Sequence, residues 1–162
     1  MRNDSHIIYF VQCAKDYVLL IEQIMKGQDV SLRQISKAVA ALYAAAFDLP
    51  DPNLPENDVL PVTFESNFDE WKDLFRGIGK WFYANLAEVK FSPEEEEEMY
   101  CMPVEDDLAD IYGDIKPGLR AWDASIDAYL PEVVFHWKCS FETHWGQHAV
   151  NAMRVLHEME RK

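Results

Sequence analysis

The sequence predicts an all-α fold: a single up-and-down bundle of about five helices, with an irregular aromatic and acidic insertion at about 80–104. Three observations carry this expectation. Apolar residues recur at three- and four-residue spacing through most of the chain, which is the periodicity of helices that bury one face. The 162 residues are 49% hydrophobic, enough to close one core and too few for two ordinary domains. Helix-start signals precede the periodic stretches, and Gly or Pro follows several of them.

The first helix is read from Ile7, Ile8, Val11, Ala14, Tyr17, Val18, Ile21, Ile24 and Met25, with Asp4 or Ser5 as cap and Gly27 as stop. Ser31-x-x-Gln34 is a capping-box pattern and opens a second helix through Ile35, Val39, Leu42, Tyr43 and Ala46, which ends before Pro50. Pro50, Pro52, Pro55 and Pro61 then exclude regular structure, because each removes a backbone donor and restricts its predecessor. Asn67-x-x-Glu70 opens a third helix through Phe68, Trp71, Leu74, Phe75 and Ile78, expected to end near Gly77 or Gly79. Residues 80–104 are read as an irregular aromatic segment, and repulsion within Glu94–Glu98 argues against a stable helix there.

The fourth helix is placed at about 105–128 on Leu108, Ile111, Tyr112, Ile115, Leu119, Trp122 and Ile126, kinked or split at Pro117. Pro131 opens the fifth, which runs to about 158. The first, second, fourth and fifth helices form the expected four-helix core.

The formal charge is -14, from 29 acids against 15 bases. Phosphate backbones and anionic membrane surfaces are therefore expected non-partners. Residues 92–110 hold nine acids and no Lys or Arg, so a cation or basic partner is drawn there first. Cys13, Cys101 and Cys139 are odd in number, far apart and outside any CxxC. That spacing argues against a disulfide framework and for a reducing compartment, and the charged N-terminal segment reads as neither signal nor membrane span, so the expected location is the cytoplasm.

The most site-like pattern lies on two helices. Asp107, Asp110 and Asp114 form one carboxylate ridge on the flank of the fourth helix, next to the stripe of Leu108, Ile115, Leu119 and Ile126. On the fifth, His144 and His148 stand at i and i+4, the spacing at which two imidazoles share a metal ion, with Glu142 close by. The candidate polar cluster is thus Asp107, Asp110, Asp114, Glu142, His144 and His148, and the candidate metal set is Asp107, Asp110, His144 and His148. The competing readings are a solvated acidic face for the ridge and a hydrogen-bonded structural pair for the histidines. Lys138 and Glu142 both fall near the apolar stripe and need partners, either in a pinning network or with Glu142 as ligand or base. Gly146 in mid-helix implies close approach by another segment, for instance the aromatic loop. The chain has no Walker A, dinucleotide, HExxH or nucleophile-elbow motif.

The stretches Asp106–Lys116 and Ser140–Ala149 resemble an uncharacterised bacterial family, the domain of unknown function 5063. The resemblance spans most of the chain and implies a bacterial helical protein without assigning an activity. Asp107-x-x-Asp110, with Glu95-x-x-Glu98 before it, is similar to the paired acids of the all-helical MazG-like nucleotide pyrophosphohydrolases, which hold magnesium. The eight residues between Glu98 and Asp107, interrupted by Pro103, are too few to turn and return a helix.

The leading expectation is a non-enzymatic protein-binding or regulatory module, presenting its acidic 92–110 surface or aromatic loop to another protein, with aromatics at 81–91 available to a homodimer contact. The rival is a metal-dependent hydrolase with its carboxylate and histidine site between the fourth and fifth helices, a divalent metal as cofactor.

Overall fold

The structure, a computed structural model, describes residues 1–52, 68–100, 103–124 and 129–162. The described elements are helices: α1 (Ser5–Met25), α2 (Leu32–Ala46), α3 (Phe68–Leu86), α4 (Pro93–Tyr100), α5 (Val104–Asp123), α6 (Leu130–Ser140), a π turn (Phe141–Trp145) and α7 (Gly146–Glu160). The helix starts follow local chemistry. Asp4 accepts from the backbone N–H of His6 and Ile7 at 2.9 and 3.2 Å and so caps α1. Ser31 and Gln34 form the reciprocal capping box of α2. Gly27, at φ 69°, closes α1 in the left-handed conformation that costs glycine nothing.

α1, α2, α7 and α5 pack in a closed ring, with α3 laid against α5 and α1. Specific contacts fix the directions. Lys15 meets Asp123 while Glu22 meets Lys116, so α1 and α5 run antiparallel. Ser36 bonds Glu160 while Tyr43 packs on Phe141, so α2 and α7 are antiparallel as well. Asp107 pairs with His148 and Asp114 with His144, which makes α5 and α7 antiparallel. This is the expected four-helix core. Ile7, Phe10, Tyr17, Ile21, Leu108, Ile111, Trp137 and Trp145 are fully buried within it. Tyr17, buried with them, donates its hydroxyl to the carbonyl of Leu108 at 2.6 Å.

Several boundaries differ from those read from sequence. α3 continues to Leu86, because Leu74, Ile78, Phe82 and Leu86 are spaced four apart and all buried. Residues 93–100 are helical too: Ser92 and Glu95 cap one another through Glu95 Oε2 on the Ser92 N–H and Ser92 Oγ on the Glu95 N–H. That box and Pro93 in the first turn offset the repulsion along the glutamate run. The irregular segment expected at 80–104 is therefore mostly helix. Of the aromatics at 81–91, Phe82 is buried, Trp81 and Phe91 pack on the core beside Val89, and Trp81 donates to the Val30 carbonyl at 2.8 Å, while Tyr83 is exposed and donates its hydroxyl to Oε1 of Glu105 at 2.9 Å.

α5 passes Pro117 without splitting and ends at Asp123; the stripe residue Ile126 lies outside the described residues. The fifth predicted helix is α6, the π turn and α7 in succession, reaching Glu160. Gly118 is where the Trp137 indole crosses α5. A Cβ there would lie 2.3 Å from Nε1 of Trp137.

Candidate metal centre

α5 and α7 bring the predicted ridge and the histidines face to face. Asp107, Asp110 and Asp114 advance by three and four residues along α5, and His144, His148 and Asn151 by four and three from the π turn into α7, so each set stays on one helical face. Antiparallel packing then matches the low-numbered end of one set to the high-numbered end of the other. Nδ1 of His148 lies 2.7 Å from Oδ1 of Asp107, and Nδ1 of His144 lies 2.7 Å from Oδ2 of Asp114. Nε2 of His148 is 3.4 Å from Oδ2 of Asp110. The two imidazole rings meet edge to face, with centroids 4.8 Å apart.

The π turn adjusts His144. The N–H of Gly146 reaches back five residues to the carbonyl of Phe141, inserting an extra residue into the turn that carries His144 and changing its angular position relative to a plain α-helix. A Cβ at position 146 would lie 2.3 Å from that carbonyl oxygen. The close approach inferred at Gly146 is thus by Phe141 of the same turn, and not by the aromatic loop.

Burial grades the site from inside to outside. The Asp107 side chain is 5% exposed, Asp110, Asp114 and His148 about a fifth, and His144 half. Burial raises the Asp107 carboxyl above the ordinary carboxylate range, in spite of its hydrogen bonds from His148 and from Asn151 Nδ2 at 3.4 Å. Asp106, one turn before Asp110, is raised by burial and then by the Asp110 charge; it also feels His148 and His144. Hydrogen bonding to Asp114 raises His144. His136, whose Nε2 is 3.3 Å from the Asp114 carbonyl, is lowered by burial.

One ligand atom from each of Asp110, His144 and His148 lies within 4.8 Å of the others. Asp107 and Asp114 instead lie against the Nδ1 atoms of His148 and His144. Glu142 is exposed on the π turn and takes part in none of the cluster's described hydrogen bonds or ion pairs. Two residues apart on a helix, Glu142 and His144 face opposite sides, about 200° round. Lys138, its supposed companion, goes to Asp51 at 2.6 Å and to the Leu49 carbonyl at 3.2 Å. Glu95 is held by Lys162 at 2.6 Å, which takes it away from any magnesium set with Asp107 and Asp110; burial and side-chain position of Glu98 lie outside the described residues.

Two participants were not singled out in the sequence. Asn151 continues the i, i+4, i+7 series of His144 and His148, a signal that periodicity alone could have raised. Trp71 of α3 donates Nε1–H to Oδ1 of Asp110 at 3.3 Å, a contact between elements that no local pattern announces.

Comparison with curated proteins gives no match. Among solved structures, the chain is similar to the crystal structure of protein BF1032 from Bacteroides fragilis, with a TM-score of 0.74 at 21% identity over 97% of this chain and 93% of that one. At that identity the likeness establishes a shared fold. No helix among the described residues is long and apolar enough to cross a membrane. The family model described as "Domain of unknown function (DUF5063)" matches residues 2–162, and the chain belongs to that family.

Proposed function

We propose that this chain is a cytoplasmic bacterial protein that binds a divalent transition-metal ion between α5 and α7, through Nε2 of His144, Nε2 of His148 and a carboxylate oxygen of Asp110. The observation that carries the reading is that each imidazole has its own carboxylate on Nδ1, Asp114 for His144 and Asp107 for His148. A carboxylate there accepts a hydrogen bond from Nδ1–H, fixes the tautomer with the proton on Nδ1 and leaves the Nε2 lone pair free, the arrangement that accompanies metal-bound histidine. Two imidazoles with one carboxylate suit zinc, iron or nickel, whereas calcium and magnesium prefer all-oxygen shells.

An ion with bonds of about 2.1 Å would draw the three ligand atoms to roughly 3.4 Å separations in a tetrahedral shell. His144, half exposed, has the freedom to make that movement. The cytoplasmic assignment rests on the dispersed cysteines, of which Cys13 and Cys139 are free thiols. The bacterial assignment rests on the similar Bacteroides fragilis structure.

A second reading, hydrolysis by a metal-activated water, is favoured by Asp106. Its carboxylate feels Asp110, His144 and His148, and three protein ligands leave a coordination position open for water.

The test is cobalt and zinc titration of protein purified without a histidine tag, followed calorimetrically and by cobalt visible absorption. One equivalent is expected to bind saturably, and Asp110→Asn or His148→Ala to weaken binding at least tenfold. Absence of saturable binding, or equal binding by both variants, sinks the metal reading.

A further inference from the structure

Every ligand of the proposed centre has a polar anchor outside the coordination shell, and they do not all come from the two helices that supply the ligands. His144 and His148 are anchored from α5 by Asp114 and Asp107. Asp110 is anchored from α3, where Nε1 of Trp71 donates to Oδ1 at 3.3 Å. The other oxygen, Oδ2, is the one 3.4 Å from Nε2 of His148. The Asp110 carboxylate is thereby oriented, with one oxygen toward α3 and the other toward the imidazoles. The Trp71 ring is itself stacked on Phe75, one turn on, at 5.3 Å and 23°, and α3 packs along α5.

We infer that Trp71 is a positioning residue of the centre, holding Oδ1 of Asp110 so that Oδ2 alone coordinates the ion. The inference rests on the metal reading above and adds α3 to the site. Chemically, an indole N–H on one carboxylate oxygen removes electron density from that oxygen and opposes two-oxygen chelation, so Asp110 occupies one coordination position rather than two. Outer-shell partners of this kind typically change metal affinity 10- to 100-fold when removed. A position kept open in this way is what a water or other exogenous ligand would need.

The test compares Trp71→Phe and Phe75→Leu with the parent, using cobalt as the probe. Trp71→Phe keeps an aromatic ring and removes the N–H; Phe75→Leu disturbs the same stack without touching a hydrogen bond. Trp71→Phe is expected to weaken cobalt binding about tenfold and to lower the visible extinction of the bound cobalt, as a second Asp110 oxygen joins the shell and raises the coordination number. Phe75→Leu is expected to lower the melting temperature of the metal-free protein while leaving cobalt affinity and spectrum as in the parent. If Trp71→Phe also changes only the melting temperature, Trp71 is a packing residue and the inference is overturned. It is overturned equally if Phe75→Leu changes the spectrum as much as Trp71→Phe does. Failure of the parent to bind cobalt strikes the metal reading itself, which separates the two failures.

Discussion

Asp107→Asn separates stability from metal binding, because the structure gives the two effects opposite signs. The Asp107 carboxylate is nearly buried, at 5% exposure, and accepts from His148 and Asn151. Burial nevertheless outweighs these bonds and raises its pKa on folding. A carboxyl whose folded pKa lies above its unfolded value contributes stability that is complete below the unfolded pKa, about 3.9, and lost as pH rises through the folded value. At pH 7 the charge is therefore a net cost in the metal-free protein.

Asparagine keeps the volume and an acceptor for His148 while removing that charge. It also exchanges a charge-assisted hydrogen bond for a neutral one, a loss of about 1 kcal/mol, which the relief of burying the ion offsets. The net effect expected is a gain in melting temperature at pH 7, where each 1 kcal/mol corresponds to roughly 2–4 °C for a chain of this size. The gain fades on acidification, where the parent's own carboxyl is neutral. Metal affinity moves the other way: the His148 ring loses the anionic partner that orients it, and a 10- to 100-fold loss, about 1.4–2.7 kcal/mol, is expected. Thermal denaturation of the metal-free proteins between pH 4 and 7, with zinc titration at pH 7, measures both. A variant that is less stable at pH 7 yet binds zinc as the parent does would refute the reasoning and make Asp107 a plain helix clamp.

Three further outcomes are expected. Glu142→Ala, at an exposed position outside the cluster, leaves zinc affinity within about twofold of the parent, whereas His144→Ala lowers it at least tenfold; calorimetric titration distinguishes them. Tyr17→Phe removes the hydroxyl's bond to the buried Leu108 carbonyl, at 2.6 Å, while leaving that carbonyl its helix partner within α5, and costs about 0.5–1.5 kcal/mol in urea denaturation with an unchanged m-value. His136 has a folded pKa lowered by burial, so its contribution is present above the unfolded value near 6.5 and lost as pH falls. His136→Gln should therefore flatten the fall in melting temperature between pH 7 and 5, although His144, whose pKa is raised, contributes in the opposite direction in both proteins.

The resolution of sequence reading followed the range of the interactions. Caps and apolar stripes are local, so Asp4, the Ser31–Gln34 box and the four core helices could be read directly. At 80–104 the same rules were available but were outweighed by the repulsion along Glu94–Glu98. The Leu74, Ile78, Phe82, Leu86 stripe and the Ser92–Glu95 box decide that segment, since burial and capping act on it more strongly than exposed like charges. Glu142 was grouped with His144 and His148 because it falls near the apolar stripe, yet two residues from His144 it faces the other side of the helix, about 200° round, and it is exposed there.

For the site, the sequence by itself determined which side chains share a face: three aspartates on one helix and two histidines on another, because helical periodicity is a property of the chain alone. Only the tertiary structure decided their partners. The antiparallel offset of α5 and α7 places Asp107 and Asp114 on Nδ1 atoms of the histidines and groups Asp110 with His144 and His148, and the packing of α3 brings Trp71 to Asp110. These assignments depend on differences of an ångström or two between helices far apart in sequence. Hydrogen bonds and coordination are sensitive to distance on that scale, whereas hydrophobic patterning is not.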